Sequence, residues 1–110
     1  MSKKNHIHKL ASTLKDAYTH REVARINDHA VYVMFFKGEF PMHNHIWDEF
    51  YLVLKGTVTI RYKSGETEVL HKDECLTVPA YVTHSSGSDE GATVLMIKPR
   101  DMFYTAPETE

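Results

Sequence analysis

From Arg21 to Pro99 the chain breaks into short runs of β-branched and aromatic residues, parted at intervals of about ten by turn-forming residues. Asn27-Asp28, Lys37-Gly38, Lys55-Gly56, Ser64-Gly65 and the stretch from Ser85 to Gly91 supply that punctuation, because Gly and Asn take positive φ at tight corners. This texture specifies an all-β, antiparallel sandwich or barrel. Strands are expected over 22–26, 30–37, 40–45, 48–55, 57–63, 66–71, 75–79 and 92–98.

In "TVTIRY", Val58, Ile60 and Tyr62 alternate with Thr57, Thr59 and Arg61, the pattern of a strand with one buried face. "KSGE" reads as the hairpin that follows it. "VYVMFF" and "FYLVL" are apolar on both sides, which implies cover from the interior and from a second sheet or subunit. A homodimer is therefore expected.

Ahead of the strands, Leu10, Leu14 and Tyr18 recur at spacings of four, so 9–18 reads as a short amphipathic helix after a polar arm carrying His6 and His8. Beyond them, "PRDMFYTAPETE" reads as an irregular tail, with Phe103 and Tyr104 expected to dock on something. The organisation is thus an N-terminal arm and helix (1–20), one β domain (21–99) and a tail (100–110). With 110 residues, 42% hydrophobic and 25% charged, the chain can build one core.

A formal charge of −2 with scattered Lys and Arg argues against nucleic acid or an anionic membrane as partner. No apolar run approaches the roughly 20 residues of a membrane span. The start "MSKKNHIHKL" lacks a secretory pattern and Cys75 is the single cysteine, so a cytoplasmic location is expected. Cys75 itself is expected to be buried and inert.

Chemistry concentrates in "MHNHIWDEFYLVLKG". His43 and His45 share a strand face about 6–7 Å apart, and Glu49 has the same parity. Two imidazoles and a carboxylate suit one divalent transition metal ion, whether iron, manganese, nickel, zinc or copper, and leave coordination positions open. A fourth ligand is available in "TVPAYVTHSS", where His84 follows the Pro79 turn. Affinity for such an ion is expected to fall below roughly pH 6 as imidazoles protonate.

Asp48 faces the other way from Glu49 and belongs at the solvent edge or behind an imidazole N–H. Tyr51 and Val53, like Met34 and Phe36, should line the interior, and the Tyr51 hydroxyl is the candidate catalytic group; Tyr62 is a weaker one. His20, His29 and His71 read as structural or surface residues. The contiguous letters "HNH" lack the ββα spacing of the nuclease signature, and one cysteine cannot build a zinc finger.

The run Gly38, His43-Asn44-His45, Glu49, Gly56 resembles the first motif of the cupin superfamily, and Pro79-x-Tyr81-x-x-His84 resembles the second. The likeness extends from about Arg21 to Pro99 and is closest to small single-domain cupins. It implies an antiparallel jelly-roll barrel, a mononuclear site with ligands His43, His45, Glu49 and His84, and a dimer. Tyr81 and Asp73 stand where the pattern has glycines, and Ser88 where it often has asparagine. Tyrosine is poorly suited to positive φ and aspartate better, so these departures bear on turns more than on ligands.

The expected function is a metal-dependent dioxygenase, isomerase or lyase acting on a small organic molecule. Alternatives are a binding or sensing module for a sugar or metabolite, and a structural cupin without metal. Fold alone does not choose among them.

Overall fold

The structure is a computed structural model that describes residues 3–100. A short helix α1 (Ile7–Ala11) precedes seven strands: β1 (His20–Ile26), β2 (His29–His43), β3 (Glu49–Lys55), β4 (Val58–Tyr62), β5 (Thr67–Leu70), β6 (Cys75–Val78) and β7 (His84–Pro99). Every strand pairing is antiparallel.

The helix is shorter and earlier than 9–18. Ser12 Oγ and Thr13 Oγ1 each donate to a carbonyl three residues back, those of Lys9 and Leu10. Such back-bonding competes with the helical ladder and ends it after one turn. His6 caps the start, its Nδ1 accepting from the Lys9 amide at 3.3 Å. Tyr18, expected on the helix, instead has φ +60 and sends its hydroxyl to the Gly38 carbonyl at 2.9 Å. Its ring lies against Phe36 and Phe40.

Two expected breaks lie inside strands. At Lys37-Gly38 the chain does not turn back: Gly38 takes φ +73 at a register shift between β2 and β7, a bulge that lets β2 run on to His43. Ser85 to Gly91 is not a loop either, since it forms the first half of β7. Ser85, Ser86 and Ser88 are buried there, beside β2 and β4. Their polarity suggested a loop because alternation alone does not reveal a polar strand covered on both flanks.

The sheet path is β1-β2-β7-β3-β6, with β4 and β5 branching from β7. The first half of β7 pairs with the end of β2 and with β4, while its second half pairs with the start of β2 and with β3. One bent strand thus joins two leaves that fold over a common core of Met34, Phe36, Tyr51, Val53, Ile60 and Val94. The pairings do not close into the expected barrel: β5 and β6, four residues each, pair on one side only.

Outward residues of the first leaf remain apolar, with Phe50, Leu52, Leu95 and Ile97 half-buried. Cys75, opposite Leu52 on the edge strand β6, is exposed rather than buried, because its parity turns it out of the core. Phe103 and Tyr104 lie outside the described residues. Among the described residues no helix is long and apolar enough to cross a membrane.

Candidate metal centre

The chemistry gathers where β2 ends, β3 begins and β7 begins. His43 and His84 are register partners across β2 and β7, which brings their rings together, tilted at 50° with centroids 4.5 Å apart. Glu49 opens β3 and points into the core, 2% exposed. His45 is not on a strand, as parity had it, but in the loop between β2 and β3.

That loop is tied to the 79–83 turn by three bonds. The Tyr81 amide donates to the His45 carbonyl at 2.7 Å, the Ala80 amide to Asp48 Oδ1 at 2.8 Å, and Asn44 Nδ2 to Thr83 Oγ1 at 3.0 Å. Asp48 therefore sits at the solvent edge and fixes a turn; its carboxylate faces a backbone amide rather than an imidazole. Tyr81 adopts φ +68 and Asp73 φ +72. Both keep the left-handed backbone that glycine would have taken, and Tyr81 does so at a steric cost.

One ligand atom from each of His43, His45 and Glu49 falls within a mutual 4.8 Å. His84 adjoins this trio from the other side of the carboxylate, with Nε2 3.5 Å from Glu49 Oε1. His45 Nε2 lies 3.6 Å from Glu49 Oε2. The four residues singled out as ligands are thus brought together, three of them tightly.

The donor set fits a cation. Nδ1 of His43 meets the Pro41 carbonyl at 2.8 Å and Nδ1 of His84 meets the Val82 carbonyl at 2.9 Å. A carbonyl only accepts, so each Nδ1 carries the proton, and in the neutral ring Nε2 is left as a lone pair. Lone pairs converging on a carboxylate repel unless a positive charge lies among them.

Both oxygens of Glu49 are engaged. Oε1 accepts from the Tyr51 hydroxyl at 2.8 Å, and Oε2 from Lys98 Nζ at 3.2 Å. Burial pushes this carboxyl upward, but the groups that face it, the Lys98 ammonium and the Tyr51 hydroxyl among them, outweigh it and hold the group well below the usual carboxylate range. Burial lowers His45 to about 4, against the pull of Glu49, and lowers His43 as well. Tyr51, enclosed in the core and facing Glu49, is raised well above an ordinary phenol.

Tyr51 thus stands beside the centre, its oxygen 3.4 Å from His84 Nε2. Val53, Met34 and Phe36 are buried in the core. His29 pairs with Asp28 and His71 with Glu74 at the surface, and His20 lies edge-on to Tyr32.

Lys98 escaped the sequence reading. The signal was present: Ala92, Val94, Met96 and Lys98 share a parity on β7, and the first three face inward. A lysine continuing that series into a core calls for a buried acid, and Glu49 is the acid it meets.

Comparison with known proteins places this arrangement. A family model described as "Cupin domain" matches residues 32–98. The chain belongs to the cupin family. The uncharacterized protein YdbB of Bacillus subtilis (strain 168) is 33% identical over 89 residues, 80% of this chain and 79% of that protein. A solved cupin-2 domain containing protein from Shewanella frigidimarina is 26% identical, with a TM-score of 0.83 over 87% of this cupin and 94% of the other chain. The crystal structure of HppE with iron(II) is similar in fold, with 18% identity and a TM-score of 0.65 over 76% of this cupin and 50% of that chain.

Proposed function

We propose that this cupin binds one divalent transition metal ion through His43, His45, Glu49 and His84 and acts on a small organic molecule held at that ion. The observation that carries the reading is the hydrogen bonding of His43 and His84: each Nδ1 meets a carbonyl, which leaves Nε2 unprotonated in the neutral ring, and that of His84 lies 3.5 Å from Glu49 Oε1. Three imidazoles and one carboxylate suit iron, manganese, nickel, zinc or copper and leave positions for a chelating ligand. A bound ion would supply Lewis-acid polarisation or oxygen chemistry, as in a dioxygenase, isomerase or lyase. The fold shared with HppE, a protein solved with iron(II), supports a metal site in this architecture.

What the chain contributes is placement. The Pro41 and Val82 carbonyls orient two rings, and Tyr51 and Lys98 hold the carboxylate between them. Elemental mass spectrometry on protein purified without chelators, beside His43→Ala, tests the reading. About one equivalent of metal, lost in the variant, is expected. Equal metal content in both would remove the site from consideration.

A second reading, a module that binds or senses a metabolite without turning it over, is favoured by the state of the acid–base candidates. The Tyr51 proton is committed to Glu49, and Asp48 to the Ala80 amide. Binding of a metabolite without its consumption would select this reading. Metal-free protein of unchanged stability would select the structural alternative.

The apolar outer leaf carrying Phe50, Leu52, Leu95 and Ile97 supports a homodimer. A cytoplasmic setting agrees with the single, exposed Cys75.

A further inference from the structure

Apart from the four ligands, the described residues form a cleft of about 390 Å³. One wall is the β4–β5 hairpin, with Tyr62, Lys63 and Glu66; the other is the turn that leads into β7, with Pro79, Val82 and Thr83. Backbone bonds hold both walls in place. The Tyr62 amide donates to the Glu66 carbonyl at 2.8 Å, and the Lys63 amide reaches across to the Thr83 carbonyl at 3.0 Å. The volume lies at the small end of ligand pockets, which span about 300–1,000 Å³.

The walls differ in chemistry. Pro79 and Val82 offer apolar surface, continued by the Tyr62 ring, which packs against the core. Lys63 and Glu66 bring an ammonium and a carboxylate to the opposite wall, three residues apart across a tight turn. Among the described residues neither side chain has an ion-pair or hydrogen-bond partner, and they do not pair with each other. Single unpaired charges are ordinary on a surface; here one of each sign borders the same apolar cleft. A carboxylic acid entering it would set its charge beside Glu66, and an amine would set its charge beside Lys63. A molecule with both charges side by side meets an opposite partner for each.

We propose that this cleft binds an aliphatic α-amino acid, its carboxylate facing Lys63, its ammonium facing Glu66, and its side chain laid on Pro79, Val82 and the Tyr62 ring. The site does not rest on the metal reading, because none of its lining residues is among the four ligands. It adjoins the centre all the same: Tyr62 is the register partner of His84, and the Val82 carbonyl holds His84 Nδ1 at 2.9 Å.

Amide shifts of isotope-labelled protein read the binding, with excess EDTA present so that no ion can chelate the amino acid. L-Leucine is the probe, beside 4-methylpentanoate, which lacks its ammonium, 3-methylbutylamine, which lacks its carboxylate, and glycine, which lacks its side chain. Leucine at millimolar concentrations should give saturable shifts confined to 62–66 and 79–83. The two single-charge compounds should bind about fivefold more weakly, the upper range for one exposed charge pair, and glycine about tenfold more weakly. Lys63→Met should then bind leucine no better than 3-methylbutylamine, and Glu66→Gln no better than 4-methylpentanoate. Both side chains are exposed, so neither change reaches the core.

No shifts with leucine at tens of millimolar, or shifts at 43–49 in place of the cleft, overturn the proposal. Equal affinity for leucine and its two single-charge relatives overturns it too, since the cleft would then read an apolar body and no charge. Glycine binding as well as leucine would remove the role of Pro79 and Val82 and with it the choice of an aliphatic amino acid. None of these outcomes bears on the metal site, which the comparison with His43→Ala decides.

Discussion

At Glu49 a proton and an ammonium compete for two oxygens, joined on the proposed reading by a metal, and the balance sets what acid does to this protein. His45 in the folded chain titrates near about 4, whereas in the unfolded chain it titrates near the ordinary 6.5. Between those values the unfolded state binds the extra proton, so stability falls as pH drops through that window. Glu49 acts in the same direction lower down: its folded pKa is depressed below 4.5, so its contribution is present above that value and is lost as pH falls below it. Metal-free protein should therefore show a melting temperature that declines from pH 6.5 toward pH 4. A flat profile across that range would contradict the burial of these groups. The same shift moves metal release to lower pH than the value near 6 that ordinary imidazoles suggest, and dialysis against buffers from pH 7 to 4 would locate it.

Removing the carboxylate is the sharper substitution. Glu49→Ala takes from Lys98 its buried acid and should destabilise the metal-free protein by about 3 kcal/mol, read by denaturant unfolding. Lys98→Met together with Glu49→Ala should recover part of that loss, since the ammonium that faced the carboxylate is gone while the volume of the carboxylate stays unfilled. A double variant no more stable than Glu49→Ala would show that the two residues do not act as a pair.

Among the elements, the turns decide where the ligands end up. Tyr81 holds φ +68 with 72% of its surface exposed, so its side chain brings little burial to offset the strained backbone. Tyr81→Gly should stabilise the protein by up to about 1 kcal/mol, relief of the left-handed strain exceeding the added chain entropy. Thermal unfolding would read it, and a loss of stability would mean that the exposed ring has a contact of its own. Gly56, between β3 and β4, is the opposite case. It has φ +87, and a Cβ there would stand 2.5 Å from the Gly91 carbonyl oxygen. Gly56→Ala should cost roughly 2 kcal/mol.

What was legible beforehand follows from how each element is specified. His-x-His, Glu49 and the remote His84 were readable because ligand chemistry is written in residue type, and the four do meet. Strand β4 was readable from its period-two alternation, and β3 from a run that is apolar on both faces. Gly38 was read as a turn because a glycine has the same signature in a bulge as in a hairpin, and only pairing across β2 and β7 distinguishes them. The serine-rich start of β7 was invisible for a related reason: its burial comes from neighbours far away in the chain.

For the molecule as a whole, the apolar outer leaf is the feature that needs an occupant, and a second copy of the chain is the one we expect. Phe50→Lys with Leu52→Glu should turn a dimer into a monomer by light scattering while leaving metal content unchanged, since both side chains point away from Glu49. A monomeric wild type would refute the assignment. Membership of the cupin family does not by itself choose the chemistry, because one architecture carries many activities.

The bent strand β7 has one further consequence. Its first half is flanked by β2 and β4 and its second by β2 and β3, so His84, Ser86, Gly87 and the run 93–97 have neighbours on both sides. No local fraying frees them, and exchange of their hydrogens for deuterium must wait for the whole fold to open. The end of the strand that carries His84 and the run 93–97 should thus be the last to admit solvent, whereas Lys98, paired with β2 alone, should open earlier.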